Sequence, residues 1–128
     1  MSEPHRTFAV ALLGTGRLAT AIAAAAERSP LAVTLGSLPE RRFAAQLERA
    51  TYRVVADTLT VAERAGAQEA RVEATAADGR LVVRVEHDGA GDGHPGELVD
   101  DRVQALAGRL GARRTATGAS VVAEVPCG

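Results

Sequence analysis

The stretch whose residue types and spacing best fit a functional site runs from Gly79 to Gly96 and reads GRLVVRVEHDGAGDGHPG. Its first half places Leu81, Val83 and Val85 at alternate positions, which predicts a strand with one buried face. Its second half is acidic and rich in glycine, and glycine lets the main chain bend with positive φ and approach a ligand closely. This pattern is typical of a nucleotide pocket at the end of a strand, and it also fits a long turn without a ligand.

A second glycine motif, Gly14-Thr15-Gly16-Arg17-Leu18-Ala19, follows the apolar run Phe8 to Leu13. Strand, G-x-G-x-x-A turn and helix form the Rossmann dinucleotide-binding fingerprint. The acidic residue expected about 20 residues further on is missing, because Gly36 and Ser37 stand there. The hairpins later in the chain also do not supply further β-α-β crossovers. A Rossmann-type dinucleotide-binding fragment is therefore the lesser alternative.

Composition narrows the classes of function. The chain has 128 residues with 46% hydrophobic and 24% charged, so we expect one domain over 1–128 with a frayed start at 1–8. The net charge of −1 argues against nucleic acid as a partner. All 15 basic residues are Arg, which excludes a catalytic lysine and, with the abundant Ala and Gly, indicates a bacterial source. The lone Cys127 and three scattered His predict neither a disulfide nor a metal cluster.

We expect a cytoplasmic domain that makes no membrane contact. The longest apolar run, near Phe8 to Leu13, is too short to span a bilayer, and no signal-peptide cleavage site follows it.

Hydrophobic periodicity and turn residues predict the remaining elements. In chain order they are a helix over Thr20 to Arg28, a strand over Leu31 to Leu35, a long helix over Arg41 to Ala65 and a strand over Ala70 to Ala76. After the glycine loop come a helix through Val99, Val103, Leu106 and Leu110 and a final hairpin of Gly111 to Thr115 with Ala119 to Val125. The turns at Asp78-Gly79 and Thr117-Gly118 require antiparallel neighbours. The predicted fold class is α+β, a two-layer α/β sandwich with a mixed sheet and helices on one face.

Five segments together resemble the ATP-binding catalytic domain of bacterial sensor histidine kinases, which shares its fold with gyrase and MutL. They are LPER from Leu38, ATYRVVADTL from Ala50, VRVEHDGAG from Val83, DRVQALAG from Asp101 and GASVVAEVP from Gly118. The resemblance covers about residues 10 to 126 and is to the subgroup that feeds response regulators with helix-turn-helix outputs. It implies a histidine kinase-like ATPase fold, ATP as ligand and a place in two-component signal transduction.

The resemblance assigns roles along the long helix. The family has a Glu and, one turn later, an Asn that ligates magnesium; these positions are Asp57 and Val61 here. A basic residue and a His follow in the family, and Arg64 matches the first while Ala65 replaces the second. Asp57 is thus the candidate catalytic residue, whereas Val61 offers no oxygen to a hard cation.

The resemblance also assigns roles in the first glycine box. The family's leading Asp accepts the adenine amino group, and that position is His87, while Asp88, Gly89 and Gly91 are kept. A neutral histidine can accept one hydrogen bond but is a poor copy of a carboxylate.

Two later segments complete the implied nucleotide pocket. Only Gly93 and Gly96 remain of the second glycine box, so the loop over the nucleotide is very short. Ser120 keeps a hydroxyl near the position of the family's Thr.

Together the replacements predict a degenerate histidine kinase ATP-binding domain in which ATP binds weakly or not at all and magnesium loses its ligand. The alternative is a pseudo-ATPase that keeps the sandwich as a protein-interaction or dimerisation module in signalling. No phosphoacceptor histidine in a dimerisation helix is visible, so phosphoryl transfer would need a phosphoacceptor dimerisation domain, a response regulator or another signalling protein as partner. The sequence leaves open whether the chain is an enzyme.

Overall fold

The computed structural model describes residues 17–127. This part of the chain contains α1 (Arg17–Arg28), β1 (Ala32–Leu35), α2 (Ala45–Arg64), β2 (Glu69–Ala77), β3 (Arg80–His87), α3 (Glu97–Ala105), β4 (Arg109–Arg114) and β5 (Ala119–Pro126). The order of elements is the predicted one. The predicted frayed start at 1–8, the apolar run 8–13 and the first three residues of the N-terminal glycine motif lie outside the described residues.

The five strands form one mixed sheet in the order β1-β2-β3-β5-β4. β1 runs parallel to β2, and every other pair in the sheet is antiparallel. Asp78 and Gly79 both have positive φ, 56° and 74°, as the tight hairpin turn between β2 and β3 requires. The amide of Thr115 donates to the carbonyl of Gly118 across 2.8 Å and closes the second hairpin. This sheet differs from the all-parallel sheet that the Rossmann alternative requires.

The core lies between the sheet and the helices. Leu81, Val83 and Val85 of β3 are buried, and they pack with apolar residues of α1 and α2 in one cluster. The intervening residues of β3, such as Arg84 and Glu86, lie on the outer face of the sheet. α2 contacts both β3 and α3. The predicted α+β sandwich with its mixed sheet is confirmed. No helix within residues 17–127 is long and apolar enough to cross a membrane.

α2 begins at Ala45, four residues later than predicted. The carboxylate of Glu48 turns back towards the preceding segment and accepts a hydrogen bond from the amide of Phe43 at 3.1 Å. Ala44 has extended main-chain angles, so Phe43 packs against the core from outside the helix. The other predicted stripe residues are buried in α2: Leu47, Ala50, Val54, Leu59 and Ala62.

The predicted helix through Leu110 is too long, because α3 ends at Ala105 and Leu110 lies in β4. Ala107 adopts a positive φ of 62°, and the amide of Gly108 returns to the carbonyl of Val103 at 2.9 Å. These contacts end the helix and reverse the chain into β4. A left-handed alanine is uncommon, so the residue types did not signal this stop.

Candidate functional site

His87 is the last residue of β3 and lies on the face of the sheet that the helices cover. Only 6% of it is exposed. The amide of Gly89 donates to Nδ1 of His87 across 3.0 Å. Because Nδ1 is the acceptor in this bond, the neutral imidazole carries its proton on Nε2. The ring therefore presents a donor to the space beyond it.

Gly93 lies directly against that donor. A Cβ added to Gly93 would stand 2.9 Å from Nε2 of His87 and 3.2 Å from Cβ of Ala119 and from Cγ2 of Val121. Gly93 also has a φ of +79°, which favours glycine. Nε2 is buried and has no hydrogen-bond partner among residues 17–127. The glycine loop thus covers the side of the imidazole that the adenine of a nucleotide would have to reach.

Burial controls the charge of His87. Desolvation lowers the pKa of His87 below its ordinary value, and the neighbouring carboxylate of Asp88 opposes this effect less strongly. The imidazole is therefore neutral at neutral pH, with the donor arrangement described above.

Asp88 holds the main chain at the start of β2. Its Oδ1 accepts hydrogen bonds from the amides of Gln68 at 2.8 Å and Glu69 at 3.1 Å. These two bonds are the main reason that the pKa of Asp88 lies below its usual range. Both lone-pair directions of that oxygen are taken up by the protein's own backbone.

Gly89 joins the loop to the C-terminal end of α2. A Cβ on Gly89 would meet the carbonyl oxygen of Ala62 and the Cβ atoms of Ala65 and Ala67 at 3.1–3.2 Å. The amide of Ala90 donates to the carbonyl of Ala65 at 3.1 Å. Gly91, with a φ of +77°, is exposed at the tip of the loop.

The rest of the loop bonds to itself before α3 begins. Asp92 accepts from the amide of His94, whose Nδ1 accepts from the amide of Gly96, each at 3.0 Å. Nε2 of His94 lies 3.6 Å from a carboxylate oxygen of Asp100 in the first turn of α3. The shortened second glycine segment is therefore a compact turn that ends at Gly96.

The other site candidates of α2 lie on more exposed surfaces. Asp57 faces Arg53, one turn earlier, at 3.5 Å and lines a depression of about 260 Å³ that the end of α1 also borders. His87 does not line this depression. Val61 is half-buried and Arg64 is exposed. The structure thus brings His87 and Gly89 together with the last turn of α2 and leaves Asp57 in a separate depression.

Ser120 lies on the outer face of the sheet, opposite to His87. In the β3–β5 ladder Ser120 pairs with Glu86, and Ala119 pairs with His87. The hydroxyl of Ser120 is buried without a partner among residues 17–127. The alternation of side chains along a strand could have predicted this. Every second residue of β5 from Val125 back to Ala119 lies on the core face, so Ser120 lies on the other face.

ATP with magnesium fits this geometry poorly. The adenine amino group needs an acceptor, whereas His87 offers a donor that Gly93 covers. At the position that the sequence resemblance assigns to magnesium binding, Val61 supplies only hydrocarbon. Within residues 17–127 no three His, Cys, Asp or Glu side chains are grouped so that they could hold a metal ion.

The fold matches solved histidine kinase domains. The ATP-binding domain of PrrB from Mycobacterium tuberculosis matches with a TM-score of 0.63 and 21% identity, over 88% of this chain and 92% of that one. The histidine kinase domain of the blue-light activated kinase EL346 from Erythrobacter litoralis matches with a TM-score of 0.57 and 27% identity, over 91% of this chain and 60% of that one.

A longer EL346 chain matches with a TM-score of 0.57 and 22% identity, over 86% of this chain, which spans 40% of that kinase. No family model and no curated protein matches the sequence. The chain therefore has the fold of histidine kinase ATP-binding domains, as the sequence resemblance implied.

Proposed function

We propose that this chain is a degenerate histidine kinase-type ATP-binding domain, in which the sandwich is kept and nucleotide binding is weak or lost. The position of Gly93 against the imidazole of His87 carries this proposal. The matching solved structures, which come from kinases, support the histidine kinase-type fold in this proposal and do not bear on the loss of binding.

The energetic argument concerns the base end of the pocket. A nucleotide would have to displace the loop from His87 and leave its own amino group facing the Nε2–H donor. An unsatisfied buried polar group costs about 1–3 kcal/mol. Since each 1.4 kcal/mol is about tenfold in affinity, this penalty alone would weaken a micromolar dissociation constant about 5- to 150-fold, and the cost of displacing the loop would weaken it further.

The magnesium end adds to the same loss. Val61 cannot ligate the metal, and the carboxylate of Asp57 pairs with Arg53 at 3.5 Å. Any remaining affinity for nucleotide would therefore be independent of magnesium.

In this proposal the domain works in bacterial two-component signalling in the cytoplasm. A phosphoacceptor dimerisation domain, a response regulator or another signalling protein would be its partner. The closed, self-bonded loop also favours the second candidate, a pseudo-ATPase that serves as an interaction or dimerisation module. In that case phosphoryl transfer by this domain is not needed.

Isothermal titration calorimetry tests the proposal. ATP and ADP are titrated into the full chain in excess magnesium and again in excess chelator. We expect no saturable binding at nucleotide concentrations up to about 1 mM in either buffer. Micromolar binding that requires magnesium would contradict the proposal, because it would show a working metal and base site.

A further inference from the structure

A large cavity lies on the helix layer, and His87 is not among the residues that line it. It is an open groove of about 590 Å³ between α1 and α2, and α3 contributes Arg102 to it. Most of its exposed lining is apolar. None of the residues assigned to the nucleotide site lines this groove, so its role is independent of the proposed function.

Four arginines from three helices converge on the groove. They are Arg17 of α1, Arg49 and Arg53 of α2, and Arg102 of α3. Arg53 pairs with Asp57 at 3.5 Å, whereas the other three have no ion pair with another residue of the described segment. The whole protein carries a net charge of −1, so this accumulation of positive charge is local.

Little negative charge balances these arginines. The single carboxylate that lines the groove belongs to Glu48, which is 8% exposed. One of its oxygens accepts a hydrogen bond from the amide of Phe43 at 3.1 Å, so the carboxylate is directed to the main chain. The groove therefore presents a positive potential to an approaching ligand.

The floor of the groove is built for close contact with another helix. Ala21 and Ala24 are three positions apart on α1, and Ala45 and Tyr52 face them from α2. Small side chains allow two helices to approach to about 8–10 Å. The hydroxyl of Tyr52 accepts from Arg28 at 2.6 Å, which fixes the ring as part of the wall. From Ala45 to Arg53 the α2 wall extends for about 12 Å, or roughly two helical turns.

We infer that this groove binds an acidic, amphipathic helix of a partner protein. The apolar face of that helix would pack on the alanines and Tyr52, and its flanking carboxylates would pair with the arginines on both sides. Residues 1–16 of this chain match the charge of the groove poorly, because they contain one Glu against one Arg. Charge complementarity therefore favours a partner protein over residues 1–16.

Fluorescence anisotropy with synthetic peptides tests this inference on the full chain. The probe is a labelled 21-residue helix with leucines along one face and glutamates on both flanks. One comparison peptide has the same composition in an order that destroys the apolar face, and a second has lysine in place of each glutamate. We expect saturable binding of the acidic amphipathic peptide alone, with an affinity that falls as salt is raised.

Charge reversal locates the site. Arg49→Glu combined with Arg102→Glu should weaken binding at least tenfold, because both guanidinium groups line the groove. Arg113→Glu combined with Arg114→Glu on β4 makes the same change in net charge outside the groove and should leave affinity within twofold. All four residues are exposed, and circular dichroism verifies that both variants fold.

Filling the floor gives a second test that leaves every charge in place. Ala21→Phe should also lower the affinity for the acidic amphipathic peptide at least tenfold, because the phenyl ring would occupy the floor of the groove. Equal binding of the reordered peptide, or unchanged binding by the Arg49/Arg102 variant, would overturn the inference. So would absence of peptide binding together with retention on phosphatidylserine vesicles, which would indicate a membrane surface instead.

Discussion

The amide of Gly89 and Nδ1 of His87 are joined by a hydrogen bond of 3.0 Å inside the sandwich. This bond fixes the neutral tautomer of His87 and makes the imidazole sensitive to acid. A second proton would bind at Nδ1, which would then become a donor. Two donors, Nδ1–H and the Gly89 amide, would face each other, and the hydrogen bond would be lost.

We predict that the free energy of unfolding falls as the pH drops below about 6.5. The pKa of His87 is lowered by burial in the folded state, so the unfolded chain binds the proton first over this interval. Stability is complete above the unfolded pKa, decreases on acidification, and levels off below the folded pKa. Urea unfolding between pH 7.5 and 5 measures this dependence.

His87→Asn is the matched control for that measurement. Its side-chain oxygen can still accept from the Gly89 amide, but the side chain does not titrate. His5 and His94 are unchanged in the variant, so the difference in pH dependence reports on His87. Identical pH profiles for the two proteins would show that His87 is not the acid-sensitive group.

A methyl group at Gly93 should weaken the fold and lift the loop. In Gly93→Ala the left-handed main-chain conformation costs about 1–2 kcal/mol of stability. The added Cβ also stands 2.9 Å from the His87 ring. Gly91→Ala has nearly the same φ and open space around it, so it reports the main-chain cost alone. We expect urea unfolding to show that Gly93→Ala lowers the free energy of unfolding by about 1–3 kcal/mol more than Gly91→Ala does. Equal losses would mean that the loop does not rest on the imidazole.

Restoring one family residue at a time should not restore nucleotide binding. His87→Asp regains the acceptor but buries a carboxyl group under Gly93, at a cost of about 1–3 kcal/mol in stability. Its dissociation constant for ATP should remain at about 1 mM or weaker, as in the unmodified chain. Calorimetry on the folded variant measures this, and micromolar binding by His87→Asp would place the whole defect at that residue.

Val61→Asn addresses the metal instead of the base. An amide oxygen on α2 can ligate magnesium, so any affinity for ATP in this variant should become greater in magnesium than in chelator. The unmodified chain should show no such difference. A magnesium effect of equal size in both proteins would show that the metal position lies elsewhere.

Asp88 should prove structural. Asp88→Ala removes the acceptor of the Gln68 and Glu69 amides and should lower the melting temperature, whereas Asp88→Asn keeps an acceptor oxygen and should lower it less. Because the pKa of Asp88 is lowered in the folded state, its contribution is complete above the unfolded pKa near 3.8 and is lost as the pH falls below it. Equal melting temperatures for the two variants would argue against this role.

Sequence patterns predicted the sheet better than the ends of the helices. Alternation in Leu81, Val83 and Val85 and the turn residues at Asp78-Gly79 act locally, so they predict strand and hairpin from a few residues. The end of α3 depends on Ala107, which adopts a left-handed conformation that alanine rarely takes, so the residue type does not predict it.

The candidate site was predictable only in part for the same reason. The sequence singled out His87 and Gly93, but which nitrogen of His87 is the acceptor depends on the Gly89 amide that folding brings to it. The groove is lined by Arg17, Arg49 and Arg102 from three different helices, so no local sequence pattern could predict it.

The parallel ladder at the edge of the sheet has a consequence for the order of assembly. Within residues 17–127, β1 pairs only with β2, over four residues from Ala32 to Leu35, and α2 separates the two strands in the chain. Closing that long connection costs more entropy than closing the tight turn between β2 and β3. The β2–β3 hairpin should therefore form early and β1 should dock late. In the native state the amides of β1 should exchange with deuterium before those of β3, through an opening that leaves the antiparallel strands paired.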